Sequence, residues 1–289
     1  MASWSLSQLY IQNYLIIASI TVVYYDYFIT LDDERRCIWT RWKAASSWMF
    51  FVNRYFTFFS TITWVGSFLP WHSVEGFVYH SWRGRLTRSR IYWVMLRCNA
   101  YSMYRQIITG VIEFIVIVNM FLRVFALYGK DKRILALGIG VFLVMVALGI
   151  LGFSGDNAPT IVLSAGCHVV ISAGAKFATA WAAMLASDVL IFALTVAKTY
   201  NTMHGLRRYN SGNLSALMLR DGAMYYVTLT CLNLTNLLTF FLLPNALKGS
   251  LASLVGNISS VLLSRMMLNL QKSVDKRIPQ YTNLFSGDE

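Results

Sequence analysis

Ionisable residues that interrupt long apolar runs are the positions at which this sequence can do chemistry. Asp26, Arg54 and Arg123 each lie within such a run or at its end. A charged side chain inside a bilayer costs roughly 2.5–3.5 kcal/mol on insertion scales, so each one needs a partner or a polar cavity. Together with Asp221 and Arg265, they are predicted to lie toward one membrane face. We therefore predict a structural ion network with a direct Asp26–Arg54 contact. A proton or ion path is the alternative.

Glu113 and Asp188 are two further acids inside apolar runs, without an obvious basic partner at their depth. Acids that face a cavity from two helices are suited to a cationic or hydroxylated ligand, so both are candidates for a ligand cavity. The alternative is that both are protonated or hydrogen-bonded to neighbouring Ser, Thr and Asn side chains.

Two of the four cysteines are predicted to lie on the outer, oxidising side of a membrane. These are Cys98, before the third predicted helix, and Cys167, between the fourth and fifth. Cys37 falls in an inner loop and Cys231 inside the sixth helix. We predict a Cys98–Cys167 disulfide across the mouth of the bundle, and two free buried thiols are the alternative.

The remaining chemistry of the sequence argues against catalysis. The four histidines show no pair at metal-ligand spacing on one helix face, so no metal site is predicted. The sequence contains neither a phosphate-binding glycine loop nor a G-x-S-x-G motif. No cofactor is expected, and the protein is predicted not to be an enzyme.

The composition identifies the elements that must position these residues. Hydrophobic residues make up 56% of the chain, charged residues only 13%, and the mean hydropathy is +0.51. Soluble domains have roughly a quarter charged residues, so this chain cannot cover a water-facing surface. It is predicted to be an all-α, multi-pass membrane protein whose immediate partner is the lipid bilayer. The net charge of +12 indicates basic loops facing anionic headgroups rather than nucleic acid binding.

Apolar runs long enough to cross a bilayer predict seven transmembrane helices in a single domain covering residues 1–289. An eighth stretch, 157–175, carries no charge and is almost long enough to cross. It is interpreted as an ordered outer loop, with a re-entrant segment as the alternative. The predicted spans are 9–28, 48–69, 107–128, 134–153, 177–196, 225–243 and 251–270.

The basic residues predict the orientation of the bundle. With the N-terminus outside and the C-terminus inside, sixteen of the 25 Lys and Arg lie on the inner side and eight on the outer side. Six of those eight fall within 71–105. Within this loop, 73–96 is interpreted as an atypical basic outer loop that attracts anionic ligands, or as an untranslated segment wrongly included in the gene. Residues 271–289 are predicted to form a short cytosolic tail.

Several short motifs are distributed along the chain: YYDYFITLDDE at 24–34, Trp39, Trp42, NRY at 53–55, LRVFALY at 122–128, RDGAMYY at 220–226 and LSRMMLNL at 263–270. Together they resemble a family of seven-helix membrane proteins from basidiomycete (mushroom-forming) fungi that is defined by a domain of unknown function. This resemblance implies a fungal source and a multi-pass membrane location, and it implies no activity.

Receptor-like sensing of a small ligand at the outer side of the bundle is the function that these features favour. Seven spans, an outside N-terminus and the predicted disulfide are typical of receptors, and the basic inner loops suit a cytosolic signalling partner. Arg123 lies where such receptors keep an arginine, although the acid expected beside it is absent. A small-molecule or ion transporter or channel is the alternative. The plasma membrane is the favoured location, and an endomembrane is the alternative.

Overall fold

The structure is a computed structural model that describes residues 6–41, 45–65, 88–153, 160–163, 166–169, 174–207, 213–244 and 247–285. Seven α-helices, one 3-10 turn (Trp39–Arg41) and one antiparallel two-stranded hairpin make up its regular secondary structure. The helices are α1 Leu6–Cys37, α2 Ala45–Val65, α3 Arg88–Leu127, α4 Lys132–Phe153, α5 Gly174–Arg207, α6 Asn213–Leu242 and α7 Ala252–Phe285. The strands are β1 Thr160–Leu163 and β2 Gly166–Val169.

The predicted all-α fold is confirmed, with seven helices in the described part of the chain, and several of these helices extend beyond the predicted spans. α1 continues to Cys37 and α7 to Phe285, so most of the predicted cytosolic tail is helical. Residues 88–96 of the predicted basic loop form the first turns of α3, and 66–87 lie outside the described residues. Hydropathy marks the point where side chains leave the apolar phase, whereas the backbone hydrogen bonds of a helix continue beyond it.

The stretch predicted as an ordered outer loop contains the β-hairpin. Thr160 pairs with Val169 and Leu163 with Gly166. Both strands contact α3. A short hairpin satisfies its own backbone groups, which explains how a stretch rich in Gly, Ser and Ala becomes ordered without forming a helix.

α7 occupies the centre of the bundle, because it contacts α1, α2, α3 and α6. It runs parallel to α1: Ser19 donates a hydrogen bond to the carbonyl of Ser253 (3.0 Å) near one end. Near the other end, Lys272 pairs with Asp33 at 2.5 Å. α4 lies at the periphery: none of the residues in its apolar segment Lys132–Leu151 is buried. It packs against α5 and α3.

A polar seam joins α1, α2 and α7. The amide of Asn53 donates to the carbonyl of Ser260 (2.9 Å) and to the hydroxyl of Ser264 (3.0 Å). The hydroxyl of Thr57 lies 2.8 Å from that of Ser260. On the α1 side, the amide of Asn257 donates to the hydroxyl of Ser19 (2.7 Å). The donors of these groups are paired within the seam, whereas Oδ1 of Asn53 and Oδ1 of Asn257 have no hydrogen-bond partner in the described part of the chain. This pairing allows α2 and α7 to carry many polar residues inside the bundle.

Five helices in the described part of the chain are long and apolar enough to span a membrane, which fits a membrane protein. The two helices outside this group are α2 and α7, which are also the helices that carry the polar seam. The five segments are Tyr10–Cys37, Met103–Leu127, Lys132–Leu151, Ala178–Asn201 and Met224–Leu242.

Candidate functional site

Arg54 of α2 is surrounded by acceptors from α1. Its Nε lies 2.8 Å from Oε2 of Glu34, and its Nη1 lies 3.5 Å from Oδ2 of Asp26. Its Nη2 donates to the hydroxyl of Thr30 (2.7 Å) and to the carbonyl of Tyr27 (3.0 Å). The guanidinium is therefore bound by two carboxylates in a site where the Arg54 side chain is only 5% exposed.

The same cluster extends to α7 through Arg265, whose Nε lies 2.5 Å from Oδ1 of Asp26. Glu34 also accepts hydrogen bonds at Oε1 from the hydroxyl of Tyr55 (2.9 Å) and from Nε1 of Trp39 (3.0 Å). We name Asp26, Glu34, Arg54 and Arg265 the ion network. Two acids and two arginines balance in charge, which removes much of the penalty of burying Asp26, Glu34 and Arg54; the side chain of Arg265 is 45% exposed.

Helical spacing explains how α1 supplies its part of the network. Asp26, Thr30 and Glu34 follow one another at intervals of four residues, which places them on one face of a helix. All three are buried. The face that they form is the one that Arg54 contacts.

The sequence predicted part of this network. Asp26, Arg54 and Arg265 come together, with the predicted Asp26–Arg54 contact. Arg123 does not join them: it interacts electrostatically with Tyr226 of α6 and forms no ion pair with a carboxylate in the described part of the chain. Asp221 lies in α6, and its side chain is outside the described residues.

Glu34 is the member that sequence reasoning missed. The first helix was predicted to end at Phe28, so Glu34 was assigned to an inner loop. The four-residue spacing from Asp26 through Thr30 was the signal that could have found it.

Neither Glu113 nor Asp188 lines the cavity that opens between the helices near Arg105 and Lys248, and a ligand cavity at these two acids stays a prediction. Glu113 is 1% exposed and packs against Gly256 of α7. A Cβ atom at position 256 would lie 3.3 Å from Oε1 of Glu113. Asp188 accepts a 2.6 Å hydrogen bond from the amide of Asn233. For Asp188, this is the hydrogen-bonded alternative that the sequence left open.

A cavity of about 140 Å³ opens between α1, α3, α4, α5, α6 and α7, at the end of the bundle where α1 and α7 begin. Its polar side includes Arg105 and Gln106 of α3, Gln12 of α1 and Lys248 of the α6–α7 connection. Trp181 of α5 is among its apolar lining residues. Six of the seven described helices contribute residues to its lining.

The charge of this cavity is opposite to that of the predicted one. Its lining includes the cations Arg105 and Lys248 and no acidic residue, whereas Glu113 and Asp188 were the candidates for a cavity that binds a cation. Arg105 begins the part of α3 that faces the cavity, followed by Gln106, Thr109 and Gly110. Sequence reasoning had assigned Arg105 to a solvated loop because the apolar run begins at Ile107.

The predicted disulfide lies outside what the described side chains test. Cys98 belongs to α3 and Cys167 to β2, and these two elements contact each other. Neither side chain is described, so the Cys98–Cys167 bridge stays a prediction. Cys37 is buried, and Cys231 is exposed.

The described residues contain no group of three or more His, Cys, Asp or Glu that could hold a metal ion.

Comparison with known proteins adds one finding: residues 14–59 match a family of unknown function (DUF6533). The matched segment covers most of α1 and α2, including Asp26, Glu34 and Arg54. No curated protein and no solved structure matches the chain.

Proposed function

We propose that the protein is a receptor-like membrane protein that binds a small ligand in the cavity between its helices. In this proposal all seven helices cross the bilayer, with the N-terminus and the cavity outside and the C-terminus inside. The inner loops would then be available to a cytosolic signalling partner, and the plasma membrane is the proposed location.

The position of the polar side chains supports a spanning role for α2 and α7. α2 has 21 residues, which span about 32 Å, close to the roughly 30 Å thickness of a bilayer core. Its polar residues Asn53, Arg54 and Thr57 are buried against α1 and α7. A helix that is covered by protein on its polar side needs fewer apolar residues to lie in a membrane.

The proposed orientation combines the basic residues with the fold. With the N-terminus outside, basic residues concentrate at the end of the bundle that carries the ion network, where they would face the cytosol. The cavity then opens at the opposite, outer end.

Membership in the fungal seven-helix family is part of the proposal. It is supported by the family motifs that lie outside the matched segment, at 122–128, 220–226 and 263–270.

The observation that carries the proposal is the convergence of six helices on one cavity. α7 lines the cavity at Ala252 and Ser253 and reaches the ion network at Arg265, twelve residues later. At 1.5 Å per residue, this distance is about 18 Å. A ligand in the cavity would therefore contact the helix whose inner half is paired to α1, so α7 connects the proposed ligand site to the ion network.

The cavity can be filled selectively to test this function. Gly110 lines the cavity, and a Cβ added there has no neighbour within 4 Å. Gly110→Leu should therefore occupy the cavity without a clash. Gly140 of α4 has equally open surroundings but lies outside the cavity lining and is exposed. Gly140→Leu is the matched control.

The experiment screens purified protein in nanodiscs against lipids, peptides and sterols for compounds that raise its melting temperature. Hits are then tested in cells with a G-protein readout. We expect wild type and Gly140→Leu to respond to the same compound and Gly110→Leu to lose both responses. An equal response of all three proteins would overturn the cavity as the ligand site. Uptake of the compound into proteoliposomes without signalling would favour the transporter.

A further inference from the structure

We propose that the ligand of this cavity is an amphiphile with an anionic oxygen head group, a carboxylate or a phosphate, joined to an apolar body. The inference rests on the proposed ligand-binding function and specifies its chemistry. It follows from the two cations in the lining, from the lack of acidic partners for them among the described residues, and from the apolar side chains around them.

The cations of the cavity differ from the buried or half-buried cations that pair with α1. Arg54, Arg265 and Lys272 each lie within 3.5 Å of a carboxylate of α1. Arg105 and Lys248 form no ion pair with a carboxylate among the described residues. Both line the same cavity, one from α3 and one from the α6–α7 connection.

Two cations in the lining of one cavity favour an anionic ligand. A guanidinium binds carboxylate or phosphate oxygens through charge-assisted hydrogen bonds, and it can do so in a bidentate way. Lysine adds a second positive charge on a flexible stem. Gln12 and Gln106 bring amide groups to the same lining. The polar side of the cavity therefore suits an oxyanion.

The rest of the lining excludes a small inorganic anion as the complete ligand. Ile16, Trp181, Met184 and Phe240 surround the cavity from α1, α5 and α6. Apolar surface of this kind gains free energy when it is covered by an apolar ligand rather than by water. An anionic head bound to Arg105 with an apolar chain along these side chains satisfies both parts of the lining.

Two sources can supply this chemistry: a free amphiphile such as a fatty acid, or the head group of an anionic bilayer lipid. The probes are decanoate, its uncharged amide decanamide, and bilayers with or without phosphatidylglycerol. Purified full-length protein is placed in phosphatidylcholine nanodiscs, and its melting temperature is followed as each probe is titrated.

Three variants separate the charge from the cavity. Arg105→Gln removes the positive charge and keeps a polar side chain that can donate hydrogen bonds. Lys132→Gln is the control, because Lys132 is an exposed cation at the start of α4, outside the cavity lining. Gly110→Leu fills the cavity and keeps both cations.

We expect decanoate to raise the melting temperature of wild type and Lys132→Gln, and decanamide to have much less effect. Arg105→Gln should weaken decanoate binding at least about tenfold, as expected when one partner of a buried charge pair is removed. Gly110→Leu should abolish it. Stabilisation by phosphatidylglycerol that is lost in Arg105→Gln would identify a bilayer lipid as the anionic ligand.

Equal stabilisation by decanoate and decanamide, unchanged in Arg105→Gln, would overturn the anionic class. If that stabilisation is still lost in Gly110→Leu, the cavity remains the ligand site and only its chemistry is wrong. The absence of a specific response to decanoate and to phosphatidylglycerol would also overturn the anionic class, while hits from the neutral compounds of the wider screen would preserve the proposed function.

Discussion

Replacing Arg54 by leucine is the perturbation for which the structure gives the clearest magnitude. Arg54 is the cation that contacts Glu34, whose side chain is 0% exposed, at 2.8 Å. Removing one member of a buried ion pair leaves the other without compensation and costs about 3–5 kcal/mol. Native proteins are stable by only about 5–15 kcal/mol. Arg54→Leu should therefore lower both the melting temperature and the amount of folded protein strongly.

The structure also predicts which second change rescues this variant. In Arg54→Leu, Glu34→Gln removes the uncompensated charge, and its side-chain carbonyl can still accept the hydrogen bonds from Tyr55 and Trp39. We expect it to recover about 2 kcal/mol or more of the loss. Asp26→Asn in the same background should recover less, because Asp26 keeps its contact with Arg265.

The assay is a double-mutant cycle on purified protein, read as free energy of unfolding or as melting temperature in one detergent. It requires wild type, the single variants Arg54→Leu, Glu34→Gln and Asp26→Asn, and the two double variants. Additive losses for Arg54→Leu with Glu34→Gln would mean that these side chains are not coupled. A stronger rescue by Asp26→Asn than by Glu34→Gln would show that the principal partner of Arg54 has been assigned wrongly.

Two further predictions use the same protein. Lys272→Ala removes an ion pair with Asp33, and the side chains of this pair are 37% and 38% exposed. We therefore expect the free energy of unfolding to fall by no more than about 1 kcal/mol in the same assay. A loss as large as that of Arg54→Leu would contradict the role given to burial. Peptide mapping without reduction should recover Cys98 and Cys167 in one linked pair of peptides. A bridge over a loop of this length should stabilise the folded protein by about 4 kcal/mol. Alkylated thiols at both positions would show that the bridge is absent.

The helices and the Asp26–Arg54 contact followed from the sequence because hydropathy and buried charge are strong local signals. Each predicted span overlaps one helix, and Asp26 and Arg54 were the charges in the first two runs that most needed partners. The helix ends were harder to predict. Glu34 was missed because a run of charged residues at the end of an apolar segment resembles a solvated loop. In the structure, Arg54, Tyr55 and Trp39 all contact Glu34.

The cavity could not be predicted from the sequence for a different reason. Its lining comes from six helices, with Arg105 and Lys248 separated by more than a hundred residues. Which side chains face one another at that end depends on how the helices pack and rotate. In the sequence, Arg105 only precedes an apolar run, and no pattern of spacing links it to Lys248.

The most direct test of the central claim is to label the cavity from outside the cell. Ser250 lines the cavity, so a Ser250→Cys variant places a thiol there. Intact cells are treated with a small membrane-impermeant thiol reagent, with wild type as the control for the native cysteines. We expect labelling above wild type on intact cells, and its loss when Gly110→Leu is added. Labelling that appears only after the membrane is permeabilised would contradict the account, because the cavity would then open to the cytosol.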